Sequence, residues 1–196
     1  MSGGFDEERA MAERGLEDLR LQSESTTDED VFPPTAERFR KARARLGLSD
    51  AEVAARWGVR PSEYWDLERY NSEVFTCVGV EELTRLARIL GTPLMELLFG
   101  ARPPTATPPV SYRELARRME DRATGGETTL PQLSEEVGWD LGPIVHDPDA
   151  LGAYTLSGLY DICKSVDADW VAVLMFADAR AVEHRGAADE RRDARS

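Results

Sequence analysis

The sequence predicts an all-α protein built from two small helical domains, and three observations predict it. Apolar residues recur at helical spacing through residues 35–100 and again through 111–185. A Pro-rich stretch, ARPPTATPPVS, lies between them and reads as an extended, fairly stiff linker over 101–110. The apolar positions of the second stretch then repeat those of the first at a fixed spacing.

Residues 1–34 carry ten acids against three bases, and QSESTTDED has nothing to bury, so this part is expected to be a mostly disordered acidic arm that Pro33 and Pro34 end. Ahead of QSESTTDED, the spacing of Phe5, Met11, Leu16 and Leu19 suits a short amphipathic helix. Most acidic termini serve solubility; mimicry of nucleic acid and shielding of a basic face when DNA is absent are the other uses open to this one.

Residues 35–100 read as five short helices. Phe39, Ala42, Arg43 and Leu46 set the first, and Gly47 stops it. Ser49, with Glu52 three positions on, is a capping-box start for the second, whose apolar side is Ala51, Val53, Ala54 and Trp57. Gly58 permits a tight turn, and Pro61 suits the first turn of the third helix, which faces Tyr64 and Leu67 inward, with Tyr70 a further candidate. NSEVFTC at 71–77 reads as irregular. Val80, Leu83, Leu86, Ala87 and Leu90 make the fourth helix, Gly91 ends it, and Leu94, Leu97 and Leu98 make the fifth.

Those last eight apolar positions reappear 76 residues later as Leu156, Leu159, Ile162, Cys163, Val166, Trp170, Val173 and Leu174. Val53, Trp57, Gly58 and Val59 correspond to Leu133, Val137, Gly138 and Trp139 at a spacing of 80. The change of spacing falls on the third helix, where DLGPIVHDPDALG offers Gly142, Pro143 and Pro148 in place of a regular helix and places Asp140, Asp147 and Asp149 toward any partner. The second domain is therefore expected to be a related, degenerate copy with Trp139, Ile144, Val145 and Trp170 as apolar anchors. The charged tail from 186 to 196 lacks apolar residues of any size and is expected to fray.

Composition narrows the chemistry. Cys77 and Cys163 stand 86 positions apart, match no metal or redox spacing, and read as two reduced, packed thiols. The two histidines, His146 and His184, have no second ligand at helical spacing, and no phosphate loop or nucleophile elbow is present. No metal, cofactor or enzymatic activity is expected, and His146 beside Asp147 reads as an exposed loop histidine. No run reaches the roughly 20 apolar residues a bilayer needs, and MSGGFDEERAMAER is no secretory signal, so a cytoplasmic protein without membrane contact is expected. The net charge of -13 opposes nonspecific binding to phosphate, yet residues 35–100 hold ten acids and ten bases, with Arg38, Arg40, Lys41, Arg43 and Arg45 crowded together.

Leu48, Ser49, Glu52, Val53, Ala54, Gly58, Val59, Leu67 and Glu68, followed by Leu83, Leu86, Ala87, Leu90 and Leu94, resemble the XRE-type helix-turn-helix family of phage repressors and bacterial regulators over about 35–98. The resemblance implies a five-helix repressor-type domain whose third helix, 61–69, lies in the major groove of double-stranded DNA. It implies phosphate contacts from Arg38, Lys41, Arg45 and the helix start at Ser49, and base contacts from Arg60, Ser62, Glu63 and Trp65. Trp65 and Asp66 depart from the family, which usually has a small residue and a polar or basic one there; Glu63 is an acid that can accept from a cytosine amino group.

Two functions follow as expectations. One is a sequence-specific transcriptional regulator of the repressor kind, the second domain giving homodimerisation or partner contact. The other is a protein-interaction module, an antitoxin or immunity-type partner of a basic protein, on a scaffold whose DNA binding is weak or lost.

Overall fold

In the computed structural model, which describes residues 3–21, 32–103, 108–125 and 128–180, every regular element is helical. In chain order these are α1 (Gly3–Leu21), α2 (Thr35–Arg45), α3 (Asp50–Trp57), α4 (Pro61–Leu67), α5 (Asn71–Thr76), α6 (Val80–Ile89) and α7 (Leu94–Phe99). Then come α8 (Tyr112–Thr124), α9 (Leu130–Val137), α10 (Gly142–His146), a 3-10 helix (Pro148–Ala153), α11 (Leu156–Ser165) and α12 over 170–180. The one β contact among the described residues is an isolated antiparallel bridge between Gly79 and Thr155.

Helix ends follow local chemistry. The hydroxyls of Ser49, Ser111, Thr129 and Thr155 each accept the backbone N–H three positions on, at the starts of α3, α8, α9 and α11. Glu52 and Gln132 reach back to complete capping boxes on α3 and α9. Gly58 and Gly138 end these same two helices with φ of 88° and 74°, a left-handed turn that a side chain would resist.

The expected irregular stretch 71–77 is instead the helix α5. Its Val74 and Phe75 are fully buried, and the Asn71 side-chain oxygen accepts from the Ala36 N–H at 3.0 Å, satisfying an orphan donor at the start of α2. Six residues are too few to announce a helix by periodicity. Tyr70, the inward candidate, is 39% exposed. Cys163 is buried as expected, and burial pushes its thiol pKa up; Cys77 is exposed, which corrects the reading of both thiols as packed.

The acidic N-terminal region holds a helix of 19 residues, longer than the short one its apolar spacing suggested. Phe5, Ala12 and Leu16 are buried, and Phe5 packs edge-on against Phe99 at 5.2 Å. Polar contacts join α1 to both halves of the chain. Glu8 pairs with Arg38 at 2.6 Å, Arg9 pairs with Asp169 at 3.0 Å, Glu13 accepts the Trp170 indole N–H at 2.9 Å, and Glu17 meets Tyr160 and Lys164. QSESTTDED, residues 104–107 of the Pro-rich linker and the charged tail lie outside the described residues.

Buried apolar residues of 35–100 and 111–180 belong to one contiguous cluster, so the two blocks do not bury separate cores. The Val80 N–H donates to the Tyr154 carbonyl at 2.9 Å, α6 packs on the 3-10 helix, and α5 packs on α11. Gly79 lies so close to the other block that a Cβ there would sit 2.9 Å from the Ala153 carbonyl oxygen.

Candidate nucleic-acid interface

Tyr64 and Leu67 anchor α4, and both are fully buried against α3 and α5. Just past its end, the Glu68 carboxylate accepts two hydrogen bonds from the Arg43 guanidinium at 2.7 Å each and one from the Tyr64 hydroxyl at 2.8 Å. Burial and the hydrogen bond to Glu68 push the Tyr64 pKa up, while the hydrogen bond to Glu68 raises that of Arg43, so this network keeps its protons at any ordinary pH. α2, α4 and the turn after α4 are thereby locked together. Glu68 is therefore an internal strut and adds no free charge to the outer face of α4.

On that outer face, Arg60, Ser62, Glu63 and Trp65 are all exposed. The Glu63 carboxylate accepts from the Arg60 backbone N–H and guanidinium, both at 2.8 Å, and this pairing with Arg60 holds its pKa below the usual carboxylate range. Arg60 thus presents a guanidinium oriented by a neighbour. Trp65 is 45% exposed, and the Arg69 guanidinium lies over its ring at 4.8 Å and over Tyr70 at 5.5 Å. Ser49 is also exposed, its hydroxyl held in the α3 cap.

The basic cluster on α2 divides into two groups. Arg38 is withdrawn from solvent: it pairs with Glu8, donates to the Leu98 carbonyl at 2.7 Å and lies against Gly100. Arg43 is held by Glu68. Arg45 is exposed yet donates to the Thr92 hydroxyl at 2.6 Å, and Lys41 makes an exposed pair with Glu37 on its own helix. Arg40 and Arg56 are exposed and make no ion pair among the described residues. The expected phosphate contact at Arg38 is thus replaced by a structural role, and available charge lies on Arg40, Lys41, Arg45, Arg56 and Arg69. Arg56 and Arg69 were not singled out at the sequence level, and Arg40 was named only as one of the crowded α2 bases; nothing in spacing separates a held arginine from a free one.

Beside α4 runs a groove of about 540 Å³ lined by Glu63, Asp66, Glu73 and Glu82 with Trp57 and Arg85 among its walls. The Trp57 indole N–H donates to Glu82 at 2.8 Å, which ties α3 to α6 across its floor. In the second block, Ile144 and Trp170 are buried, while Trp139 and Val145 are half-buried, and Trp139 packs edge-on against Tyr154 at 5.6 Å. His146 is exposed, and no cluster of metal-ligating side chains occurs among the described residues. No helix is long and apolar enough to cross a membrane among the described residues. Searches of protein-family models, of curated proteins and of solved structures find no match to this chain.

Proposed function

We propose that the protein is a sequence-specific DNA-binding regulator in which α3, the Gly58 turn and α4 act as a helix-turn-helix of the XRE type. The observation that carries this reading is the two-sidedness of α4. Its inner residues are fixed by burial and by the Arg43–Glu68–Tyr64 network, while Arg60, Ser62, Glu63 and Trp65 point outward together. A helix meant to read base edges needs that combination of rigid anchoring and exposed donors and acceptors. Arg60, Ser62, Glu63 and Trp65 are the proposed base-reading set; Lys41, Arg45, Arg40 and Arg56 supply phosphate contacts, and the 111–180 block serves as a related second copy.

Few cations are free, so affinity rests more on base contacts than on phosphate neutralisation. Selection from a random duplex library at several salt concentrations tests this. One short enriched site, a shallow salt dependence, and loss of enrichment in Arg60→Ala and Ser62→Ala are expected; absence of any enriched sequence at every salt concentration refutes the reading. Glu63→Gln is expected to change the preferred base, and stronger binding with unchanged preference would remove its reading role.

A second reading has its own observation. Trp65 and Tyr70 are exposed with Arg69 stacked between them, next to the acidic groove, and aromatic residues with arginine are the side chains that dominate protein interfaces. A basic protein partner, of the antitoxin or immunity kind, is what such a surface suits.

A further inference from the structure

The contacts between the two blocks join equivalent positions. Gly79 and Thr155 precede α6 and α11, stand 76 residues apart, the same spacing as the apolar repeat, and face each other in an antiparallel bridge. A residue meets its own counterpart with reversed chain direction where a two-fold axis passes between them. Reciprocal packing says the same: α6 lies on the 3-10 helix while α5, which holds that helix's place in the first block, lies on α11. The helices α7 and α12 also run antiparallel, since the Leu94 N–H donates to Asp178 at one end and Phe99 packs on Trp170 at the other.

This seam is self-complementary in the way of a symmetric homodimer, but both sides belong to one chain. The two halves differ at the reading position. α4 presents Arg60 and Ser62, whereas α10 is five residues long and begins Gly142-Pro143. From residue 123 to residue 163 there is no Lys or Arg at all, against seven Asp and Glu. Arg122 and Arg180, which border this stretch, are paired with Glu136 and Asp149, so the surface has little free charge with which to neutralise phosphate.

We infer that residues 111–180 occupy the place a second copy of the first block would take in a two-fold dimer, so that a single chain is its own dimer and reads one unrepeated DNA element through the first block alone. The DNA half of this inference rests on the function proposed above. The seam that two copies of the first block would share in such a dimer is covered from within, and an inverted repeat has no second reader.

The experiment is library selection with the full chain, followed by the mass of the free chain over a wide concentration range and of its complex with the enriched duplex. The expected result is a concentration-independent monomer, one chain per duplex, and a site with no inverted repeat, in which scrambling the flanks leaves affinity unchanged. An inverted repeat carrying two chains overturns the inference and leaves DNA reading intact. If no sequence is enriched, DNA reading fails and takes the DNA half of the inference with it; the free chain's mass then judges the remainder, a monomer supporting the internal dimer and a dimer overturning it.

Discussion

Arg43 and Lys41 sit two positions apart on α2, and their surroundings give them opposite importance. Arg43 is forked onto the buried Glu68, so Glu68→Ala leaves a guanidinium and the Tyr64 hydroxyl without their acceptor and is expected to cost about 3 kcal/mol in urea unfolding. Lys41→Ala breaks only an exposed i,i+4 pair, so it is expected to leave the urea midpoint nearly unmoved and to act on DNA affinity instead. Asp178 gives a pH test. Burial raises its carboxyl pKa although it accepts from the Leu94 N–H. A group with a raised folded pKa contributes its stability at pH below its unfolded value of about 3.9 and loses it as pH climbs through the folded value. Asp178→Asn, which can keep the acceptor, is therefore expected to stabilise the protein relative to the natural chain at neutral pH, with the difference shrinking as pH falls toward 4; an unchanged difference across that range would remove Asp178 as its source. The sequence could not have separated Arg38 from Arg40, because what withdraws Arg38 is Glu8, thirty positions earlier on another helix.

Among the elements, α3 and α9 were legible because a cap residue, a left-handed glycine and apolar periodicity mark the same boundaries, α4 from Pro61 in its first turn, and α6 and α7 from apolar periodicity with the left-handed Gly91 between them. α5 was not, since its order comes from burying Val74 and Phe75 and from lending Asn71 to α2, neither of which leaves a periodic trace. α1 was half legible. Its apolar positions announced a helix, while the acids beside them read as solvated charge; in the structure Glu8, Glu13 and Glu17 instead find Arg38, Trp170 and Lys164. Its attachment is testable at Phe5, which is 3% exposed. Phe5→Ala is expected to cost about 3 kcal/mol and to raise amide exchange along α1 before the rest of the molecule; uniform exchange would mean that α1 is not held separately. Exposure of the α4 face, by contrast, predicts that Arg60→Ala leaves the urea midpoint unmoved while it abolishes site selection.

At the level of the whole molecule, the repeat was visible in the sequence and the single core was not. Spacing shows that two segments share a pattern, but it does not say that their apolar faces meet. Because they do, unfolding is expected as one cooperative transition by fluorescence and by circular dichroism, and two resolved transitions would contradict the continuous core. Gly79 is a point of close approach between the halves, and Gly79→Val is expected to cost about 1–3 kcal/mol and to loosen the seam. The position of α1 across both halves has a consequence for biosynthesis. This helix is translated ahead of the rest of the described fold, yet Lys164, Asp169 and Trp170, which hold it, follow more than 140 residues later. Its docking onto the second half closes contacts more than 140 residues apart in the chain and so comes late, with that side of the acidic helix uncovered until its far partners have emerged.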